Sequence, residues 1–310
     1  MPGFLSHYIA GQAVLNSSQS HIQDIIKQAE KLYNIGAQGP DIFFYYLPGI
    51  IRKRSRDIGG QMHKNDLGLF IARLAHMAKK SNNQTVFAYT AGLIMHYVMD
   101  VHAHPYVYAS VYNKNSSSIK NSADHRVFET AIDIALLKLV SDKKPADYSQ
   151  WELINAPKTD MHTAAKAISQ ALEKVYDRNL PAKDISHAMG HMVVLTRILR
   201  SRKGRRKKWA ALVENLTIKE PLFSSMVHSQ SATDKDYLNQ NHSPWQAPWD
   251  TAEVCTDSFL DRYHAAVEEG LALIEDLYQY VYGDMSLQAL GQKLGNRSLQ
   301  TGAPCGQKLW

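Results

Sequence analysis

Apolar residues recur along most of this chain at three- and four-residue steps, the period of an α-helix. They mark helices over residues 17–33, 66–80, 84–104, 122–141, 160–178, 182–200, 205–216 and 256–282. In SSQSHIQDIIKQAEKLY, Ile22, Ile25, Ile26, Ala29 and Leu32 share one stripe, behind serines suited to an N-cap. In the last long segment Phe259, Tyr263, Val267, Leu271, Ile274 and Leu277 form another. Asp257 or Ser258 can cap that helix and Gly283 can end it. Strand signals are sparse, so the fold class expected is all-α, a single multi-helix bundle.

The breaks are equally legible. Residues 34–65 hold several Gly and Pro and are expected as a long ordered loop, a place where function often resides. Residues 112–121 form a polar interruption, and 228–250 are polar and Trp-rich. The expected domain spans 1–283, with 284–310 as a polar, frayed C-terminal tail.

The 310 residues are 45% hydrophobic, enough for a substantial core. Two cysteines, Cys255 and Cys305, build neither a disulfide framework nor a thiolate metal site. The start, MPGFLSHYIAGQ, lacks the basic and apolar regions of a secretory signal, and no run of eighteen apolar residues spans a bilayer. The expectation is a cytoplasmic protein able to touch a membrane peripherally. A formal charge of +6 favours an anionic partner. Arg52, Arg54 and Arg56 form one basic group. The run RILRSRKGRRKK carries eight Lys or Arg in residues 197–208, with Arg205, Arg206, Lys207 and Lys208 at its end. It reads as a footprint for anionic phospholipid or nucleic acid, or as a solvated helix end.

Histidine is over-used: fourteen, eight of them within the first 125 residues. HYVMDVHAHP places His96, Asp100 and His104 at steps of four, with His102 beside them. HRVFE places His125 and Glu129 at the same step. Residues so spaced stand one turn apart on one helical face, where imidazole and carboxylate can share a divalent ion. The segment around His96 and Asp100 is apolar, and a carboxylate buried there needs a cation, a metal or a hydrogen-bonded histidine. Asp133, one step beyond Glu129, reads as an acceptor for a ligand imidazole or as a solvated helix residue.

GAQGPDIFFYYLPG, MH at 62–63, AYTAGLIMHYVMDVHAHPYVY and DHRVFETAID together resemble the motif set of the bacterial zinc-dependent phospholipases C. DYLNQNHSPWQAPW resembles their C-terminal part. The resemblance implies an all-α fold with a cleft for up to three zinc ions, two expected here and the third open. It implies one ion at His63, His96 and Asp100, and a second at His125, Glu129 and His104, with His102 as the alternative. A third would use His7, Asp100 and the N-terminal residue. Asp41 is implied as general base or metal neighbour. The secreted members begin with a metal-binding tryptophan, where this chain has Met1-Pro2, and place the histidine six residues after the aspartate, where His104 is four after Asp100.

The function implied is zinc-dependent hydrolysis of a phospholipid headgroup phosphodiester, with Arg52, Arg54 or Arg56 steering the phosphate. Zinc would lower the pKa of a bound water towards ~7 and Asp41 would orient or deprotonate it. The alternatives are a nuclease or phosphomonoesterase on the same scaffold, taking nucleic acid, and a non-catalytic metal- or lipid-binding protein.

Overall fold

The computed structural model describes residues 3–46, 49–112, 118–141, 147–199 and 235–305. Its helices run in order α1 Phe4–Ser17, α2 Ser20–Gln28, α3 Glu30–Gly36, a 3₁₀ turn Gly39–Phe44, α4 Gly49–Lys64, α5 Leu67–Ser81, α6 Gln84–Val111, α7 Ser118–Val140, α8 Gln150–Ile154, α9 Lys158–Tyr176, α10 Ala182–Leu199, α11 Phe259–Tyr282 and α12 Leu287–Leu294. Strands β1 Trp245–Ala247 and β2 Asp250–Cys255 pair antiparallel between α10 and α11. Among the described residues the fold is all-α around this one hairpin. Among the described residues no helix is long and apolar enough to cross a membrane. The expected helix 205–216 and the basic residues Arg205, Arg206, Lys207 and Lys208 lie outside the described residues.

Helix α6 is the axis of the bundle. Its sequence is apolar on every side and it is buried from Val86 to Tyr106 save His102 and Pro105, as an all-round hydrophobic helix must be. Helices α1, α2, α3, α5, α7, α9 and α11 all pack on it. Helix α3 approaches most closely through glycine: a Cβ on Gly92 would fall 2.0 Å from the Tyr33 carbonyl, and one on Gly36 would fall 2.3 Å from that of Tyr89. This crossing carries the chain end of α3 onto the turn of α6 that bears His96.

Several expectations need correction. Residues 34–65 are mostly helix: Gly36 and Gly39 serve tight packing, and Gly59 and Gly60 lie within α4. The segment 17–33 is two helices, broken where Ala29 leaves helical geometry at φ −133° and ψ 37°. Helix α1 was hidden because buried residues surround it. Helix α6 does not stop at His104 but runs through Pro105 to Val111. Helix α7 begins at Ser118, four residues before the expected start. The end of the Trp-rich segment, from Trp245 on, enters the hairpin. Residues 284–305 are not frayed: Ser286 caps α12, and Leu290, Leu294 and Leu299 are fully buried.

Candidate metal centre

Three groups of ligand-type side chains meet inside the bundle: Asp41, His63 and His96; His7, His96 and Asp100; and His104, His125 and Glu129. They come from α1, the 3₁₀ turn, α4, α6 and α7. His96 belongs to two groups, and Asp100 Oδ1, 3.9 Å from His104 Nε2, links these to the third.

Helix α6 supplies the centre by its own period. Asp100 receives His96 from one turn before, with Oδ2 3.1 Å from Nε2, and His7 from α1, with Oδ1 3.3 Å from Nε2. The His7 and His96 rings stack with centroids 4.4 Å apart. His63, in the last turn of α4, places Nε2 3.3 Å from Asp41 Oδ1. On α7 the four-residue step brings His125 Nε2 within 2.7 Å of Glu129 Oε1, and His104 Nε2 lies 3.8 Å from the same oxygen. His102 turns the other way, onto Glu269 Oε2 at 2.7 Å. Of the two imidazoles open in the sequence, His104 is the one in the group.

The outward ring nitrogens are fixed by the backbone. His63 Nδ1 donates to the Gly59 carbonyl at 2.7 Å, His96 Nδ1 to that of Ala37 at 3.3 Å, and His104 Nδ1 to that of Leu299. A histidine that spends its Nδ1 proton this way presents the Nε2 lone pair to the interior, the tautomer a metal ligand needs. Gly39 lies against the His96 ring at φ 52°, where a Cβ would fall 2.3 Å from ring carbons. The Ala37 carbonyl and Gly39 both follow α3, so the close α3–α6 crossing also holds the His96 ring.

Burial sets the charge state. Asp100 is fully buried; burial pushes its pKa up, but His96 and His104 pull it well below the carboxylate range, so it is ionised. Burial drives His104 down to about 3 and His125 well below its ordinary value, leaving both neutral. His7 is lowered by burial and by His96. Burial pulls His96 down as well, but Asp100 reverses this and raises it. Neutral imidazoles near an ionised carboxylate, as His104 and His125 near Asp100, are a donor set that zinc takes. His7 Nε2, Asp41 Oδ1, His96 Nε2, both Asp100 oxygens and His104 Nε2 are buried yet make no hydrogen bond of normal geometry with the groups they face. Polar atoms buried so are costly unless a further partner joins them, and divalent cations fit. A simple His–Asp hydrogen bond would account for two of these residues and leave the rest unexplained.

Other candidates separate. Arg56 precedes His63 by seven residues of α4, about two turns on a similar face. Arg54, nine residues before, lies about half a turn away from that face and is exposed. Arg52 lies on the same helix with its side chain outside the described part.

Two features escaped the sequence. Asp133 is not solvated. It is buried and caps α1, taking Leu5 N at 3.0 Å on Oδ2, and Ser6 N at 2.8 Å and Ser6 Oγ at 2.6 Å on Oδ1. Helix α1 has no acidic residue in its own first turn, so α7 supplies the charge that its N-terminus favours. Beside the third group, Tyr108 packs on His125 with centroids 4.7 Å apart and Trp249, at the hairpin tip, meets Tyr108 at 5.5 Å. The alternation in DTAEVC is the faint sign of that hairpin.

The chain matches a family model described as zinc-dependent phospholipase C over residues 3–179, more than half its length. Comparison with curated proteins and with solved structures gives no match. The matched span contains every side chain of the three groups and the helices that carry them. On that match, and with a buried centre of the ligand chemistry the name requires, this chain belongs to the zinc-dependent phospholipase C family.

Proposed function

We propose that this chain hydrolyses the phosphodiester of a phospholipid headgroup, using two or three zinc ions held by the three groups. Water would add its oxygen to phosphorus, the bond from phosphorus to the glycerol oxygen would break, and that oxygen would take a proton. Bound zinc supplies Lewis acidity, acidifying water and offsetting charge on phosphoryl oxygens. Asp41 is the proton acceptor in this reading. Its buried Oδ1 faces His63 at 3.3 Å, beside the ligand groups, and a general base must stand within hydrogen-bond reach of the proton it takes. Glu129, His125 and His104 would hold one ion. Asp100 bridges the groups on either side of it. Arg56 is the candidate to attract the phosphate on its way in.

The observation that carries the reading is the convergence of three buried ligand groups within a chain of this family. The lipid assignment draws on the family and on the aromatic wall of Tyr108 and Trp249 beside the third group. Trp249 is 42% exposed and Val254 58%, and a half-exposed tryptophan suits the level of a lipid interface.

The test is a substrate panel of phosphatidylcholine, bis-p-nitrophenyl phosphate, single-stranded DNA and a 3′-nucleotide, each with and without zinc. Zinc-dependent release of phosphocholine, lost in Asp41→Asn, is the expected result. Turnover of DNA or the 3′-nucleotide alone would make the chain a nuclease or phosphomonoesterase on this scaffold. No turnover of any of the four would make it a binding protein.

A further inference from the structure

We propose that residues 296–302 form a strap that orients His104, so that Arg297 and Gly302 are positioning residues for the ion held by His104, His125 and Glu129. This rests on the reading that the third group binds zinc. The strap lies more than a hundred residues beyond the end of the family match at residue 179, so nothing in the family assignment reaches it.

The contact that matters is a backbone one. Leu299, fully buried, offers its carbonyl to His104 Nδ1, and this bond directs the opposite nitrogen towards Glu129. The same residue donates its N–H to the carbonyl of His63 at 3.0 Å. Leu299 therefore bridges the chain at two metal-ligand histidines that stand 41 positions apart in sequence. A carbonyl can hold a ring only if its own chain is held, and both sides of Leu299 are.

On one side Arg297 ties down the strap. Its guanidinium pairs with Glu269 on α11, with Nη1 3.3 Å from Oε2, and lies over the Tyr97 ring at 5.2 Å. Its backbone N–H donates to the Tyr97 hydroxyl at 3.0 Å, and that hydroxyl donates to the Leu294 carbonyl at 3.0 Å. Glu269 also receives His102. The imidazole that the metal group leaves out thus helps to anchor the strap that aims the one it includes. On the other side Gly302 holds φ 71° and packs over the Val101 carbonyl of α6, where a Cβ would fall 2.7 Å away. Val101 is the residue whose helical N–H partner Pro105 cannot supply. The proline in the ligand helix and the glycine in the strap therefore meet at one point.

The experiment uses the full chain and measures zinc affinity by stepwise competition with chelators, with His104→Ala marking the step that belongs to the third group. A ¹⁵N-histidine spectrum of the zinc-free protein reports the His104 tautomer. Arg297→Ala and Gly302→Ala are each expected to weaken that step about 10–100-fold, the usual effect of losing a group that orients a ligand. The other steps should stay within threefold, and the Nδ1-protonated signal of His104 should weaken. Arg297→Lys should recover part of the loss. Lys79→Ala, which removes a tie to the Tyr280 carbonyl at 2.7 Å away from the centre, should lower stability with every zinc step intact. Unchanged zinc steps in both strap variants would overturn the proposal, and so would an equal weakening of all steps. If His104→Ala removes no zinc step relative to the wild type, the metal reading beneath the proposal is overturned instead.

Discussion

Replacing Asp133 is the strongest test of how the bundle builds its centre. Asp133 lies on the helix that carries His125 and Glu129, yet it acts on α1, where His7 sits in the first turn. In Asp133→Ala the buried N–H groups of Leu5 and Ser6 lose their acceptor. Each unmade hydrogen bond costs about 1–3 kcal/mol, so two give about 2–6 kcal/mol. Loss of the charge at the N-terminus of α1 adds about 0.3–1 kcal/mol. The Ser6 hydroxyl can rotate to another acceptor and is left out of the sum. A cost near 4 kcal/mol is a large share of the ~5–15 kcal/mol that holds a domain folded. Asp133→Asn keeps one oxygen for Ser6 but can point an amide at Leu5 N, so about half the cost is expected. Urea unfolding of the zinc-free proteins measures the stability, and chelator competition measures the site containing His7, which should weaken as α1 frays. A change below about 0.5 kcal/mol in Asp133→Ala, the scale of an ordinary surface substitution, would refute the capping account.

Three further outcomes follow from single contacts. Gly39→Ala should lower zinc content and activity more than stability, because the Cβ must displace the His96 ring at a backbone angle that disfavours side chains; wild-type zinc content would show that the ring is not held there. Glu129→Gln keeps the shape and loses the charge, so it should remove one zinc and most activity while circular dichroism stays unchanged; full activity would make Glu129 an ordinary helix residue. Glu269 gives a pH signature: burial pushes its pKa up, but His102 and Arg297 outweigh this and hold it below its ordinary value. Its stabilising effect is thus fully present above the ordinary glutamate pKa and is lost as pH falls through the depressed one. The stability difference between wild type and Glu269→Gln should be flat at neutral pH and shrink in acid; a difference that grows in acid would reverse the assignment.

What the sequence revealed and what it hid divide along one physical line. His96, Asp100 and His104, and His125 with Glu129, were legible because a helix converts a four-residue step into a shared face. His7, Asp41 and His63 join them only through tertiary packing, and the residues alone pointed there through family resemblance. Asp133 and the Leu299 carbonyl left no local signal: one acts across 127 or 128 positions and the other across 195, and a carbonyl has no residue type. Glycine misled most. Gly36, Gly39, Gly59 and Gly60 read as a loop, whereas Gly36 and Gly39 let backbone meet backbone and imidazole, and the other two lie within a helix. The amphipathic stripes of α2 and α11 were plain, while α1 was not, because a helix buried on most sides has no polar face to give it a period.

The central claim is that the three groups hold zinc. Elemental analysis of the full chain, purified without chelator, tests it most directly, paired with anomalous scattering at the zinc edge from crystals. The account predicts at least two zinc ions per chain, one between His104, His125 and Glu129 and one or two beside His96. Less than one ion per chain, or anomalous peaks away from these residues, would contradict it.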